Sequence, residues 1–469
     1  MHSRGLEPNE RLSRRRFLQF AVAGAAGATL APLLSACGGG GAAPTAAPAK
    51  PAEGAKPGEA AKPAAQAGPG GFAGGGSLKL LMRAHFVPAY DAFLDQWAAD
   101  WGAKNKVEVT VDHILSAELA SKIAAEVAAG AGHDVYALTR AGEMPLYSKQ
   151  LIDVSDLADQ LGQAHGGWIP LGEQIGKFEG VWKAVPEFFI DFPALYRKDI
   201  FDANGLQPVD TWDDLLKVGT LLKGKGNPIG IAINQKSNDA SNDWNSLLWC
   251  YGASTVAQDG KTVTLNSPET KEALKYAIDL YKNTMTDEVF SWDDAGNNQM
   301  MASGRASWIH NPISAYLSIV KDNPELAKNI FISNTPAGPK GRHALVSVNS
   351  FGVMSWANAP AAKAFITDYY GVLLDGIKAS GGYNQPVLKD FRKKPMPILG
   401  EEPKYQILQD FDQYAHAIGW PGPPSPAAGE VESNWIVPLM VARAVQDGNV
   451  DDAASWGQQK AEAIYAKYK

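Results

Sequence analysis

From residue 78 onward, short apolar runs alternate with amphipathic stretches. Residues 78–82 (LKLLM) form an apolar run of a strand's length. Residues 89–103 carry Phe93, Trp97 and Trp101 at four-residue spacing, which predicts a helix. Residues 107–111 (VEVTV) alternate as a strand does. Residues 118–129 place Leu119, Ile123 and Val127 on one helical face, and residues 133–138 read as a third strand. Such repetition predicts a mostly parallel sheet covered by helices. Ligands bind such sheets beyond the carboxyl ends of the strands, which singles out the loops 83–86, 113–115 and 139–144. Those loops hold Arg83, His85, Arg140 and Glu143, each able to orient a polar ligand.

The amino terminus follows another pattern. Residues 13–19 (SRRRFLQ) resemble the twin-arginine export motif, with Arg14 and Arg15 as its pair. An Ala- and Gly-rich apolar run follows, ending in Leu-Ser-Ala-Cys at Cys37, which resembles the bacterial lipobox. The resemblance implies a signal peptide over 1–36 and a lipid on Cys37, tethering the protein without spanning the bilayer. A membrane-anchoring helix with an incidental cysteine is the alternative. Residues 38–77, rich in Ala, Pro, Gly and Lys, are expected to be a disordered linker.

Composition narrows the class. The 469 residues are 45% hydrophobic and 20% charged, with a formal net charge of -7, so no basic face is supplied for a nucleic acid. About 390 residues remain after the linker, enough for two lobes. No later run approaches the ~20 apolar residues of a membrane span. With Cys37 modified, Cys250 has no partner, so neither a disulfide framework nor a cysteine zinc site is expected.

A block from Ala184-Val185-Pro186 through Ala194 to Phe201, Asn204-Gly205-Leu206 and Thr211 to Leu216 resembles the signature of family 1 extracellular solute-binding proteins, the group that includes the maltose-binding protein. Arg197 stands where the family usually has asparagine. Thr211 also reads independently as a helix N-cap followed by Asp213 and Asp214, and Asn204-Gly205 as a helix stop. Later segments agree: 264–269 leading into a helix, 303–309 as a strand, 336–341 before a strand at 346–353, and 441–452 as a closing helix with its turn.

The resemblance implies an α/β, two-lobed periplasmic-binding-protein fold of type II, each lobe a mainly parallel sheet flanked by helices, with a hinged cleft between them. The first lobe is expected over 78–187 and 350–390, the second over 188–349 and 391–469. Crossings are expected near 186–189, 346–351 and 386–400. It also implies a ligand-capturing lipoprotein of an ABC importer, a monomer on the outer face of the cytoplasmic membrane. Its partners would be permease subunits and a small polar solute, a sugar or polyol.

Sugars need hydrogen-bonding side chains for hydroxyls and rings for their C–H faces. By position the expected ligand set adds Asp191, Asn242, Asp243, Trp244, Trp308, Asn311, Asn349, Ser350, Trp420 and Trp435 to the loop residues above. Ile313 stands near a point where the maltose-binding protein has a stacking tryptophan, which argues against maltodextrins. No GxSxG, HExxH, P-loop or dinucleotide motif occurs, so no enzyme, metal or cofactor is expected. The alternatives are a secreted carbohydrate-active hydrolase using two carboxylates distant in sequence, and an envelope binding or interaction protein without a transport role.

Overall fold

Burial of alternating and helical stripes builds the elements in the expected order. The computed structural model describes residues 72–469, apart from Lys236, Pro395, Pro397, Ile398, Gly400, Glu401 and Lys469. Arg14, Arg15, Cys37 and nearly all of the linker lie outside the described residues. Strand β1 (Ser77–Arg83) buries Leu78, Leu80, Leu81 and Met82. The helix Pro88–Asn105 begins with proline at its first position, as proline's fixed φ favours. It ends at Lys106 in the left-handed region, φ 56°. Its buried face is Tyr90, Leu94, Ala98 and Trp101; Phe93 and Trp97 flank it, half-buried.

Strand β2 (Glu108–Ile114), the helix Ser116–Ala129 and strand β3 (Val135–Leu138) complete the first run of alternating strands and helices. Leu119 and Ile123 of that helix pack with Leu81, Tyr136 and Leu138 in a satellite core. Further strands are β4 (Val185–Ile190), β5 (Ala194–Arg197), β6 (Ile229–Gly230), β7 (Trp308–His310), β8 (Ile330–Ser333), β9 (Ser347–Val353) and β10 (Gln385–Pro386).

Two main sheets result. The first has the order β10-β4-β9-β3-β1-β2, the second β8-β5-β7-β6. Both are mixed rather than mainly parallel. β1 runs parallel to β2 and β3, but β9 runs antiparallel to both β3 and β4, and β10 antiparallel to β4. In the second sheet only β6–β7 is parallel. The chain leaves the first sheet after Ile190 to form β5 in the second and comes back to it at Ser347. β9 thus enters from the second sheet's side and lies antiparallel to its neighbours. All these elements belong to one compact unit.

Local chemistry agrees with the sequence. Thr211 Oγ1 accepts from the Asp214 amide at 3.1 Å and caps the helix Trp212–Gly224. Gly205 turns the chain at φ 66° after the helix Lys198–Ala203. Residues 441–452 span the end of the helix Ile436–Asp447, a turn at Gly448 and the start of the helix Val450–Tyr465. No described helix is long and apolar enough to cross a membrane.

Candidate functional site

A cavity opens where the loops after β1 and β3 face the helix Asn238–Cys250 and the loops flanking β7. Arg83, Phe86, Thr139, Arg140 and Ala141 line it from the first sheet; Asn238, Asp239, Asn242, Asp294 and Asn311 line it from the second. Phe192 and Ser347 contribute from the passages between the sheets, with Tyr383 and Glu432 closing its edge.

The loop after β3 is shaped by Glu143. This buried carboxylate accepts the amides of Thr139 at 2.8 Å and Arg140 at 3.2 Å. Burial pushes its pKa up, opposed by Arg140, these N–H donors and Arg83. Arg140 then reaches across the cavity. Its Nη2 donates to Asn238 Oδ1 at 2.8 Å and its Nη1 to Ser433 Oγ at 3.2 Å, while its guanidinium sits 5.9 Å from the Trp435 ring centroid. A second link joins Asn242 Nδ2 to Ser347 Oγ at 3.3 Å.

Opposite Arg83 and Arg140 lies a polar network. Asn297 Nδ2 donates to Asp239 Oδ2 at 2.9 Å and to Asn311 Oδ1 at 2.8 Å. Asp294 accepts from the Asn238 amide and from Asn238 Nδ2 at 2.8 Å. Burial, then the charges of Asp294 and Asp243, hold Asp239 well above the usual carboxylate range. Its neutral form is a hydrogen-bond donor and acceptor, which suits a hydroxyl.

Of the expected ligand residues, the structure brings Arg83, Arg140, Asn242 and Asn311 to the cavity wall. The others lie elsewhere. The helix carrying Asn242 begins at Asn238, so Asn242, Asp243 and Trp244 all lie within it and point in different directions. Its cavity face is therefore Asn238, Asp239 and Asn242, and Asp243 and Trp244 rotate into the core. Asp243 Oδ1 pairs with His310 Nδ1 at 2.6 Å, both side chains wholly buried. Trp244 Nε1 donates to the Ala232 carbonyl at 2.8 Å. Trp308 is fully buried in β7, between β5 and β6, and only Asn311 beyond the strand's end reaches the cavity.

Asn349 and Ser350 sit inside the first sheet, where Asn349 Nδ2 donates to buried Glu187 at 2.5 Å. The cavity residue of that strand is its first, Ser347. His85 supports the wall from behind, bonded to Asn384 Oδ1 at 2.9 Å, and burial followed by Arg83 lowers its pKa to about 4. Trp420 stacks on His416 at 4.3 Å and meets Trp249 edge-on, away from the cavity lining. Trp435 stands behind Arg140 as a cation–π support. Asp191 is wholly buried with neither carboxylate oxygen hydrogen-bonded.

Asn238, Asp239, Asp294, Tyr383 and Glu432 were missed. The first two carried a signal, since Asn238 and Asn242 are one helical turn apart. Asp294, Tyr383 and Glu432 reach the cavity through tertiary folding alone.

Two mixed sheets flanked by helices, with a polar cavity fed by loops from both, define an α/β fold of the periplasmic-binding-protein class. The model of the bacterial extracellular solute-binding protein family matches residues 87–370. That is more than half of the chain, and the chain belongs to this family. It is accordingly a binding protein, not an enzyme.

Among curated relatives, a probable ABC transporter-binding protein of Deinococcus radiodurans is 24% identical over 34% of this chain and 40% of its own length. The putative ABC transporter periplasmic-binding protein YcjN of Escherichia coli is 24% identical over 48% of this chain and 56% of its own. The chain thus spans about half the length of the curated relatives it matches. The fold is that of maltose-bound MalE3 of T. maritima, with a TM-score of 0.72 at 19% identity over 83% of this chain and 100% of the other. It is likewise that of a laminaribiose-bound sugar transporter protein of Arthrobacter chlorophenolicus, with a TM-score of 0.73 at 17% identity over 83% and 99%. A ribitol complex of a solute-binding protein from Agrobacterium radiobacter gives 0.70 at 19% identity over 84% and 99%.

Proposed function

We propose that the chain captures a sugar or polyol in the cavity between the two sheets and delivers it to the membrane subunits of an ABC importer. The observation that carries this reading is the facing of two polar walls: Arg83, Thr139 and Arg140 on one side, Asn238, Asp239 and Asn242 on the other. A solute gripped by both walls favours their approach, because closure is driven by contacts made only in the closed state. The lining includes Phe86, Phe192 and Tyr383 but no tryptophan, which favours a small solute over a stacked oligosaccharide. Structural neighbours that bind maltose, laminaribiose and ribitol support the ligand class.

Two lobes follow from this reading, close to the expected 78–187 with 350–390 and 188–349 with 391–469, but with the first two boundaries moved to 190 and 346 so that β4 and β9 stay whole in the first lobe. The passages after Ile190 and before Ser347 serve as hinges. Export through Arg14 and Arg15 and lipidation at Cys37 would hold the protein at the outer face of the cytoplasmic membrane.

A thermal-shift screen over sugars and polyols tests the function. A true ligand at 100 times its Kd stabilises by about 2.7 kcal/mol, a rise of several degrees. Small-angle scattering with that ligand should show compaction. No shift with any carbohydrate or polyol would sink the reading, and cleavage of an oligosaccharide would replace it with the hydrolase alternative.

A further inference from the structure

Arg83 is the cation of the cavity whose N–H groups are unused. It lies at the carboxyl end of β1 and lines the cavity. Among the described residues its guanidinium has no hydrogen bond and no ion pair; it lies 5.7 Å from the centre of the Phe86 ring and acts at longer range on Asp91 and Glu143. A guanidinium presents five donors in a planar fork and stays charged at any physiological pH. Arg140, the second guanidinium on this wall, spends its terminal nitrogens on the neutral oxygens of Ser433 and Asn238. Neither arginine is therefore directly paired with a carboxylate.

Two carboxyl groups act on Arg83 electrostatically, Asp91 and Glu143, but neither bonds to it; Asp91 instead accepts the His85 amide at 2.9 Å and faces His113 Nδ1 at 3.4 Å. Glu143 has its Oε2 committed to two backbone amides, and burial favours its neutral form. Burial likewise pushes Glu432 up to about 7. Asp294 turns both of its oxygens to Asn238 and bonds to neither arginine. Closing the cavity over Arg83 without a counter-charge would leave a desolvated cation unpaired, which is costly.

We propose that the solute carries an anionic group, a carboxylate or a phosphate, seated in the fork of Arg83, with its hydroxylated body against Asp239, Asn242 and Asn311. The ligand class is then an acidic sugar or polyol. This rests on the carbohydrate reading above and narrows it. Carboxylate and phosphate both match the guanidinium bidentately; the free room beside Arg83 decides between them, and the probes separate the two.

The experiment is calorimetric titration of the full mature chain with matched probes: glucose, glucuronate and glucose 6-phosphate, then galactose with galacturonate and ribitol with ribonate. The expected result is that at least one acid binds tenfold or more tighter than its neutral counterpart, with affinity falling as salt rises. Arg83→Gln should remove that preference, and Arg83→Lys should restore part of it. A retained fold is checked by the melting temperature of the ligand-free variants. A neutral probe that binds as tightly as its acid, or an Arg83→Gln variant that weakens both equally, overturns the anionic assignment and leaves the carbohydrate reading standing. Binding by none of the probes, neutral or acidic, overturns both.

Discussion

Asp191 has neither carboxylate oxygen hydrogen-bonded, and its residue is fully buried. Arg392, the cation that most favours its charged form, is already committed to Asp412 at 2.6 Å. Burial therefore dominates and raises the Asp191 pKa from 3.8 to about 8. The folded state holds a proton there that the unfolded chain has lost, so between about pH 4 and pH 8 this residue's contribution to stability falls as pH rises. Asp191→Asn keeps the shape and removes the titration. The melting temperatures of variant and wild type should lie close at pH 5 and separate by roughly 5 °C by pH 8, the variant being higher. Parallel curves across pH 5–8 would rule out a buried, protonated Asp191. Residue-level chemistry of this kind was only partly legible in the sequence. Arg83 and Arg140 could be named because the end of a strand fixes where a loop points. Trp244 and Trp308 could not be placed, because large rings serve core and cleft equally well and only the exact helix start or strand position separates the two.

The same limit holds for whole elements. The sequence pattern located β1 to β3 and the helices between them: β1 and β3 as short apolar runs buried on both faces, β2 by its alternation, and each helix by its one buried stripe. The mixed strand directions were not legible, because pairing partners such as β9 and β4 lie more than 150 residues apart and no local pattern records direction. Also hidden was the contact between Gly142, after β3, and Gly429, in the helix Pro426–Ser433. A Cβ on Gly142 would meet the Gly429 Cα at 2.4 Å, and a Cβ on Gly429 would meet the Gly142 Cα at 2.9 Å. Neither glycine has a positive φ, so the requirement is close approach rather than backbone freedom. The helix Pro426–Ser433 packs on Ile436–Asp447 and Val450–Tyr465 while touching the helix Glu143–Leu146. On the proposed two-lobe reading, the glycine pair lies where the lobes meet beside the cavity. Gly429→Ala should raise helix propensity by about 1 kcal/mol while the halves are apart. It should oppose their closest approach, a clash of overpacking worth about 1–3 kcal/mol. The expected outcome is a ligand-free melting temperature equal to or above wild type, with roughly 10- to 100-fold weaker binding of the ligand identified by screening. Unchanged affinity in both Gly429→Ala and Gly142→Val would show that capture does not use this contact.

At the scale of the whole molecule, the proposed reading assigns binding and location to separate parts of the chain. The cavity draws on residues between Arg83 and Glu432, whereas the segments that resemble export and lipidation motifs fall before residue 38. The two can therefore be uncoupled. In a bacterial host with both export and lipoprotein processing, wild type should fractionate with membranes and incorporate labelled fatty acid. Cys37→Ser should incorporate none. Its mass then decides between the two readings of the apolar run at 20–36. A cleavable signal whose processing needs the cysteine leaves an unlipidated precursor of greater mass, while a permanent anchoring helix leaves mass and membrane association as in wild type. Replacing Arg14 and Arg15 together by lysine should retain the chain inside the cell, since the paired guanidinium groups are what the export motif presents. Protein truncated to start at residue 72 should bind solute with unchanged Kd, because none of these changes touches the cavity. A shift in Kd on removing the first 71 residues would mean instead that the amino-terminal segment takes part in capture, and that tether and binding site are one device.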